Sequence, residues 1–522
     1  MCLHAREEIK IKVIQQAPNI EVPPQGTIPE MSEPQGIPMR PRRVARKIIP
    51  GWLTKRAIVT YVLALGVVTI IYQNYCLPWY YMLSGVVSVL LFFIYGSTVA
   101  QQTSVEKIHN GKNFEKRIFF IAFVPRLIWV ILIYYIFMKT YGDAFGFENA
   151  DAAFYNEFAL DWAKRILKGE FFQAWHEYSK NIDISDMGYA TYIGFIYSFS
   201  KNSVFFVRLL KCIWSSLTVV LLYRLAQRNF GEQTARVAAI FCALWPNFWY
   251  YCGAHLKEVE MVFLTVLFVE QTDQMLRSRQ FTAWKVIPVL SIAAILFTIR
   301  TPLALIALLS LTFSLVMSTS RVVKMGKRIV VGILAVLLIW VVLGNRIHEN
   351  ANELLQRVQS NEQKSNMEWR TRREHGNDFA KYAGSAVFAP LIFTIPFPSA
   401  VRPFEGQDVQ QLLNGGNFIK NIFSFFTILS LLTLFLSGRW RDYLLPLSFM
   451  TGYLIVLVFS TFAQSERFHQ PVMPFEIMFA AYGLGLIPTN KRYKRWFGYW
   501  CVLMFVAFIA WNWFKLAGRG FV

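Results

Sequence analysis

Long apolar runs alternate with short polar segments along most of the 522-residue chain. Many runs contain about 20 residues, the length that a helix needs to cross a hydrocarbon core about 30 Å thick. Within lipid, the backbone groups of such a run must find their hydrogen-bond partners inside the run itself. The pattern therefore predicts an all-α polytopic membrane protein with no sheet.

The pattern places thirteen candidate transmembrane helices, and the expected range is 11 to 13. They are residues 57–76, 79–99, 117–138, 203–226, 235–252, 256–275, 285–299, 302–319, 328–344, 418–437, 443–461, 470–488 and 496–514. The first two form an extra N-terminal transmembrane hairpin (51–116), which precedes a larger transmembrane domain (117–522).

Basic residues indicate the orientation of these helices. Segments rich in Lys or Arg are 40–56, 101–117, 224–236, 277–285, 321–328, 438–441 and 490–495. All of them fall on one face, and such loops face the cytoplasm. We therefore expect a multi-pass plasma membrane protein, in a bacterium the inner membrane, with a cytoplasmic N-terminus.

Composition changes this picture in two places. The formal net charge of +21 belongs largely to those cytoplasmic segments, so we expect no nucleic-acid partner. Residues 1–50 are rich in Pro, Gln and Glu and lack the apolar core of a signal peptide. They are predicted to form a disordered cytoplasmic tail whose basic end contacts anionic lipid.

Two long loops fall on the non-cytoplasmic side, at residues 139–202 and 345–417. The first contains an apolar residue every fourth position, namely Phe154, Phe158, Trp162 and Ile166, which predicts an amphipathic helix on the membrane surface. In the second, three prolines interrupt the apolar stretch 383–398, which favours an interfacial or re-entrant segment over a span.

Asp151, at the start of the predicted surface helix, is the main candidate for chemistry. A carboxylate at this surface could act as a general base on an acceptor hydroxyl. The alternative is structural, because Asp is common in the first turn of helices, where it interacts with free backbone N–H groups and the helix dipole.

Several short motifs follow one another in a familiar order. They are Asp151 and Tyr155, Gly188-Tyr189, Arg208 to Leu210, Leu221 to Ala226, Trp245-Pro246, His255 to Glu258, and Glu466 to Pro471. Over residues 117–490 this order resembles membrane glycosyltransferases of the GT-C superfamily. The most similar branch contains protein O-mannosyltransferases and lipid A aminoarabinose transferases.

This resemblance implies that Asp151 is the catalytic base and that the donor is a hexose or pentose carried by a polyprenyl phosphate. The acceptor would be a hydroxyl or amine of a glycan, lipid or protein, attacking with inversion. Because the leaving phosphate is anionic, cations should surround it. Lys257, Arg300 and Arg467 are the candidates, although each could instead reach lipid headgroups from the end of a span.

Three further residues are candidate substrate-binding groups. Glu258 lies at the edge of a span, where a carboxylate is costly unless it is paired or functional. His469 could donate a hydrogen bond to substrate, and Tyr155 could bind substrate or pack under Asp151. The sequence has no nucleotide-binding or HExxH motif. No metal ligands are assigned. Because Asp151 and Glu258 could approach one another in space, dependence on a divalent metal stays an open alternative.

Two other functions remain alternatives. A lipid or polysaccharide flippase or transporter should show internal repeats and charges in mid-span, and neither is clear here. A surface-polysaccharide polymerase or ligase would instead use the second outer loop, where Arg370, Arg372, Arg373 and His375 cluster.

Overall fold

The computed structural model describes residues 49–103, 111–146, 150–278, 282–317, 389–402, 408–459, 465–487, 491–518 and 520–521. These residues are almost entirely helical, and one isolated bridge, between Cys76 and Val401, is the sole β-type pairing among them. The all-α prediction is confirmed. The predicted tail lies mostly outside the described residues, as do residues 318–388, which include the predicted span 328–344 and the cluster from Arg370 to His375.

Seventeen helices are described. They are α1 Gly51–Ile71, α2 Trp79–Gln102, α3 Gly111–Tyr141, α4 Ala150–Leu167, α5 Phe171–Asn181, α6 Ile184–Ser200, α7 Val204–Phe230, α8 Glu232–Ala243, α9 Pro246–Gly253, α10 Glu258–Arg277, α11 Ala283–Ile299, α12 Thr301–Met317, α13 Asn414–Leu436, α14 Leu444–Phe459, α15 Glu466–His469, α16 Met473–Leu486 and α17 Lys491–Ala517.

Seven of these helices are long and apolar enough to cross a membrane: α1, α2, α3, α7, α13, α14 and α17. Each coincides with a predicted span. Three more predicted spans, 285–299, 302–319 and 470–488, correspond to the shorter apolar helices α11, α12 and α16. A transmembrane bundle is therefore the common framework of the described residues.

The prediction of one continuous span at 235–252 is wrong. The chain forms two helices there, α8 and α9, and Trp245 between them has an extended backbone. Pro246 occupies the first turn of α9 and has no N–H to donate to the preceding turn, so it begins a helix and cannot continue one. A helix, α10, is present at the predicted span 256–275, but it carries four buried acids and is not among the helices apolar enough to cross a membrane.

The helix predicted in the first outer loop is confirmed as α4, but part of its apolar stripe packs against protein, and its position at a membrane surface stays a prediction. Phe158 and Trp162 are buried against α5 and α6, and the ring centres of Phe158 and Tyr178 are 4.9 Å apart. A Cβ atom at Gly194 of α6 would collide with the side chain of Trp162. Glycine at this position lets α4 and α6 approach closely, so the outer loop has a core of its own.

One described part of the second outer loop, residues 389–402, is irregular and mostly buried. Side chains of the bundle donate hydrogen bonds to its backbone carbonyl oxygens. Lys420 donates to Ile395 (2.7 Å), Asn421 to Pro396 (3.2 Å), Asn512 to Pro398 (3.3 Å) and Asn414 to Ser399 (2.8 Å). Irregular backbone within a membrane protein is tolerated where protein satisfies its polar groups, and these amides and the lysine do so.

The N-terminal hairpin is part of the same bundle. α1 packs against α17 and α2 packs against α13. At the connection between α1 and α2, Leu77 donates a backbone hydrogen bond to Ala400 (2.9 Å) and Tyr75 accepts one from Arg402 (2.8 Å). The hairpin therefore fixes one end of the second outer loop.

Candidate functional site

The candidate site lies where α4, α6 and α10 begin and where α11 meets α12. Asp151 is in the first turn of α4, and Glu258 is the first residue of α10. Arg300 joins α11 to α12 in an extended conformation, which breaks the helix between two apolar segments. The α15 turn, residues 465–472, supplies Arg467. Residues far apart in sequence thus converge at one end of the bundle.

Arg467 connects two carboxylates. Its Nη1 donates to Oδ2 of Asp151 and its Nε donates to Oε1 of Glu258. The side chain of Glu258 is 1% exposed, whereas that of Asp151 is 52% exposed. Although burial opposes it, the charges of Glu258 and Asp151 hold the pKa of Arg467 above its usual range. Arg467 is therefore a fixed cation beside the exposed Asp151 carboxylate.

Lys257 forms a second ion pair beside the first. Its Nζ donates to Oδ1 of Asp186 (2.6 Å) and to the carbonyl oxygens of Ser185 (2.8 Å) and Ile299 (2.9 Å). An ammonium group has three protons, and these three acceptors use all of them. Lys257 thus ties the start of α6 to the end of α11.

Asp186 also accepts a hydrogen bond from the hydroxyl of Tyr155, at 2.8 Å. Although burial opposes it, the Lys257 ammonium and the Tyr155 hydroxyl hold the pKa of Asp186 below its usual range. Burial and the Asp186 charge raise the pKa of Tyr155 well above its usual range. Tyr155 is therefore a neutral donor that holds α4 against α6, one turn after Asp151.

The ring of Phe468 lies close to two arginines. The guanidinium carbon of Arg300 is 4.7 Å from the ring centre, and that of Arg467 is 6.0 Å from it. A cation over an aromatic face is stabilised by the ring quadrupole. Phe468 thus helps to hold two positive groups on one side of the site, where an anion could bind.

His469 lies in a different polar cluster. Its Nδ1 is 2.8 Å from Nζ of Lys420, which in turn lies 3.9 Å from Glu476. Only 1% of His469 is exposed. Of the predicted site residues, the structure brings Asp151, Tyr155, Lys257, Glu258, Arg300 and Arg467 together and leaves His469 beneath them, on the interior side of the α15 turn.

Glu466 anchors the interior side of the α15 turn. It accepts hydrogen bonds from Asn247 (2.7 Å) and the Tyr251 hydroxyl (2.7 Å), and a third from Gln470. Burial raises the pKa of the Glu466 carboxyl to about 7. Glu466 and Arg467 are neighbours in sequence but point to opposite sides of the turn, one into the bundle and one into the site.

Sequence reasoning did not single out Asp186. It lies in the first outer loop, two residues before the Gly188-Tyr189 motif. Asp183 caps the helix by accepting from Ser185 at 3.0 Å, which leaves Asp186 in the first turn. An acid one turn inside a capped helix, beside a motif, is the signal that could have identified it.

Among the described residues, no group of three or more His, Cys, Asp or Glu side chains is close enough together to hold a metal ion. Asp151 and Glu258 do approach one another, as the sequence left open, and the group between them is Arg467. Dependence on a divalent metal stays a prediction, which chelation during an activity assay would test.

The helical bundle and the charged cluster at its end define a polytopic membrane protein with a candidate anion-binding site. Residues 188–344 match the family model of dolichyl-phosphate-mannose-protein mannosyltransferases. The matched segment contains Lys257 and Arg300, whereas Asp151 and Arg467 lie outside it. The match supports a membrane glycosyltransferase of the GT-C type and confirms the resemblance for these residues. No curated protein sequence matches the chain.

Proposed function

We propose that this protein transfers a hexosyl or pentosyl group from a polyprenyl phosphate to a hydroxyl or amine at the outer membrane surface. The acceptor belongs to a glycan, a lipid or a protein. The observation that carries the proposal is the exposed Asp151 carboxylate beside Arg467, with Arg300 against the same Phe468 ring that Arg467 approaches. The family match of residues 188–344 supports the same class of reaction.

In the proposed reaction, Asp151 takes the proton of the acceptor as the acceptor oxygen or nitrogen attacks the anomeric carbon. The bond from this carbon to the phosphate oxygen breaks, and polyprenyl phosphate leaves with the bonding electrons. The anomeric configuration is inverted. Negative charge grows on the leaving phosphate, and fixed cations that meet it lower the barrier.

Arg300 and Arg467 are the proposed phosphate contacts. Lys257 was a third candidate from sequence, but its three protons already bind Asp186 and two carbonyl oxygens. It would have to break one of these hydrogen bonds to reach a phosphate. We therefore propose that Lys257 acts mainly by fixing Asp186 and the end of α11, so that Arg300 emerges beside the site.

The test replaces Asp151 by Asn in purified protein supplied with a polyprenyl-phosphate sugar and candidate acceptors. Loss of a positioned general base should lower the rate about 100-fold or more. Asp161→Asn is a matched control, because Asp161 is on the same helix, is 47% exposed and is also paired with an arginine. Transfer by Asp151→Asn at the wild-type rate would contradict the assignment of the base.

A transport assay on the same preparation separates the alternative function. In sealed vesicles, a flippase would move the lipid-linked sugar across the membrane without joining it to an acceptor. Movement without any transfer by the wild-type protein would overturn the proposed function.

A further inference from the structure

A small cavity lies directly beneath the candidate site, between α7, α9, α10 and the α15 turn. Its volume is about 10 Å³, and its lining includes Ser215, Tyr251, Glu258, Val259, Val262 and Gln470. A space of this size accommodates one water molecule, provided that polar groups face it.

Two residues of the cavity lining, Glu258 and Gln470, each carry a buried acceptor without a partner. Oε2 of Glu258 and Oε1 of Gln470 have no hydrogen-bond partner among the described residues. Both side chains are only 1% exposed. Buried polar atoms are nearly always hydrogen-bonded, and each exception requires an explanation such as an ordered water. A water molecule has two protons and could donate one to each of these oxygens.

The other atoms of the two side chains are already engaged. Oε1 of Glu258 accepts from Arg467, and Nε2 of Gln470 donates to Glu466. A water between the two free oxygens therefore completes a ring that runs from Glu466 through Gln470, the water and Glu258 to Arg467. Glu466 and Arg467 are joined by a peptide bond, which closes the ring.

We propose that this cavity is a water-binding site and that Gln470, through the bound water and Glu258, is a positioning residue for Arg467. The inference rests on the proposed function, in which Arg467 contacts the donor phosphate. The ring orients the Glu258 carboxylate from the interior side, and Glu258 fixes the guanidinium of Arg467. Arg467 then keeps its position when Asp151 engages the acceptor.

Filling the cavity tests the proposal without altering a polar group. Val262→Ile adds one methylene to the lining and should displace the water. Val266→Ile is the matched control, because Val266 is buried one turn further along α10 and is absent from the lining. We expect Val262→Ile to weaken the binding of short-chain polyprenyl phosphate about 10- to 100-fold, the effect of losing one buried hydrogen bond to a charged group. The control should bind as wild type does.

A second variant distinguishes positioning from general damage to the fold. Gln470→Met removes the acceptor, together with the Nε2 group that donates to Glu466, and keeps the size of the side chain. Because both variants remove the same water, the double variant Val262→Ile/Gln470→Met should bind polyprenyl phosphate no more weakly than Gln470→Met alone. Additive losses, or a fall in Tm without any change in the Kd for polyprenyl phosphate, would contradict the positioning role.

The water can also be observed directly by electron cryo-microscopy of the full chain at a resolution that shows ordered waters. Density in the cavity is expected for wild type and Val266→Ile, and should be absent from Val262→Ile. An empty cavity in the wild type would overturn the proposal. This outcome is independent of Asp151→Asn, since full transfer by that variant would overturn the proposed function and leave the water site standing.

Discussion

Arg467 is shared between a buried and an exposed carboxylate, and the two pairs should differ in energy. Breaking a buried pair leaves a charge without partner or solvent, which costs about 3–5 kcal/mol, whereas exposed pairs contribute about 0–1 kcal/mol. Glu258 is the buried partner and Asp151 the exposed one. An arriving phosphate should therefore displace Asp151 from Arg467 more readily than Glu258, which frees the proposed base.

This difference predicts that two isosteric changes lower stability by unequal amounts. Glu258→Gln should lower the free energy of unfolding by about 3–5 kcal/mol, because it leaves Arg467 without its buried partner. Asp151→Asn should lower it by about 1 kcal/mol or less. Thermal unfolding in one detergent would compare them. Equal changes in Tm would contradict the assignment of Glu258 as the structural partner.

Glu466 predicts a pH dependence of stability. Its pKa of about 7 in the folded protein exceeds the ordinary value of 4.5, so the folded state binds a proton more tightly than the unfolded state. Its contribution to stability is therefore complete below about pH 4.5 and is lost as the pH rises through 7.

Glu466→Gln should remove this dependence, because an amide stays neutral at every pH. The Tm of Glu466→Gln minus the Tm of wild type should be larger at pH 8 than at pH 5.5. Thermal unfolding at the two pH values measures it. A difference that does not change with pH would show that Glu466 does not titrate in this range.

At the scale of elements, the sequence predicted what depends on local pattern. The four-residue period that includes Phe158 and Trp162 identified α4, because a helix places such residues on one face. The partner of that face could not be predicted, since it depends on a glycine in α6, Gly194, that lets the helices approach. Similarly, the Trp245-Pro246 pair was noticed as a motif but not used as a helix boundary.

The charged site shows the same limit over longer distances. Asp151 and Arg467 are 316 residues apart, and Glu258 and Arg467 are 209 apart. The sequence identified Glu258 because a carboxylate at the edge of an apolar run is costly, Asp151 from its place at the start of the surface helix and the family resemblance, and Arg467 as a cation for the leaving phosphate. It could not show which charges form pairs, and so it treated Lys257 and Arg467 as equivalent cations.

The attachment of the N-terminal hairpin to the second outer loop can be tested with a disulfide. Cys76 is buried and unoxidised, and it faces Val401 across an antiparallel bridge. Residues paired in this way have Cα atoms about 4.5–5.5 Å apart, which suits a disulfide. Val401→Cys should therefore form a disulfide with Cys76 under mild oxidation.

Alkylation of free thiols followed by mass spectrometry would detect the bond as the loss of two labelled cysteines. Val401→Cys/Cys76→Ser is the control and should keep its thiol free. Because the bridge joins segments that are held by several hydrogen bonds, sugar transfer should persist after oxidation. Two free thiols in oxidised Val401→Cys would contradict the position of the hairpin.

For the whole molecule, the site and the basic loops should lie at opposite ends of the bundle. The helix α5 packs against α4, which carries Asp151. By contrast, α13 begins near the site, where Asn247 binds both Asn417 and Glu466, and runs for 23 residues toward the turn that carries Arg441. The basic-inside rule then predicts that the site faces away from the cytoplasm. That orientation decides whether donor and acceptor meet outside the cell, so it needs a test of its own.

Single cysteines at exposed positions would test this orientation. In a Cys2→Ser background the remaining cysteines are buried, so they should react slowly. Gln173→Cys in α5 should react with a membrane-impermeant maleimide in sealed right-side-out vesicles, because α5 belongs to the outer loop. Asp442→Cys, between α13 and α14, should react only after the vesicles are opened. The reverse pattern would place Asp151 at the cytoplasmic face, and the proposed acceptor would then have to be cytoplasmic.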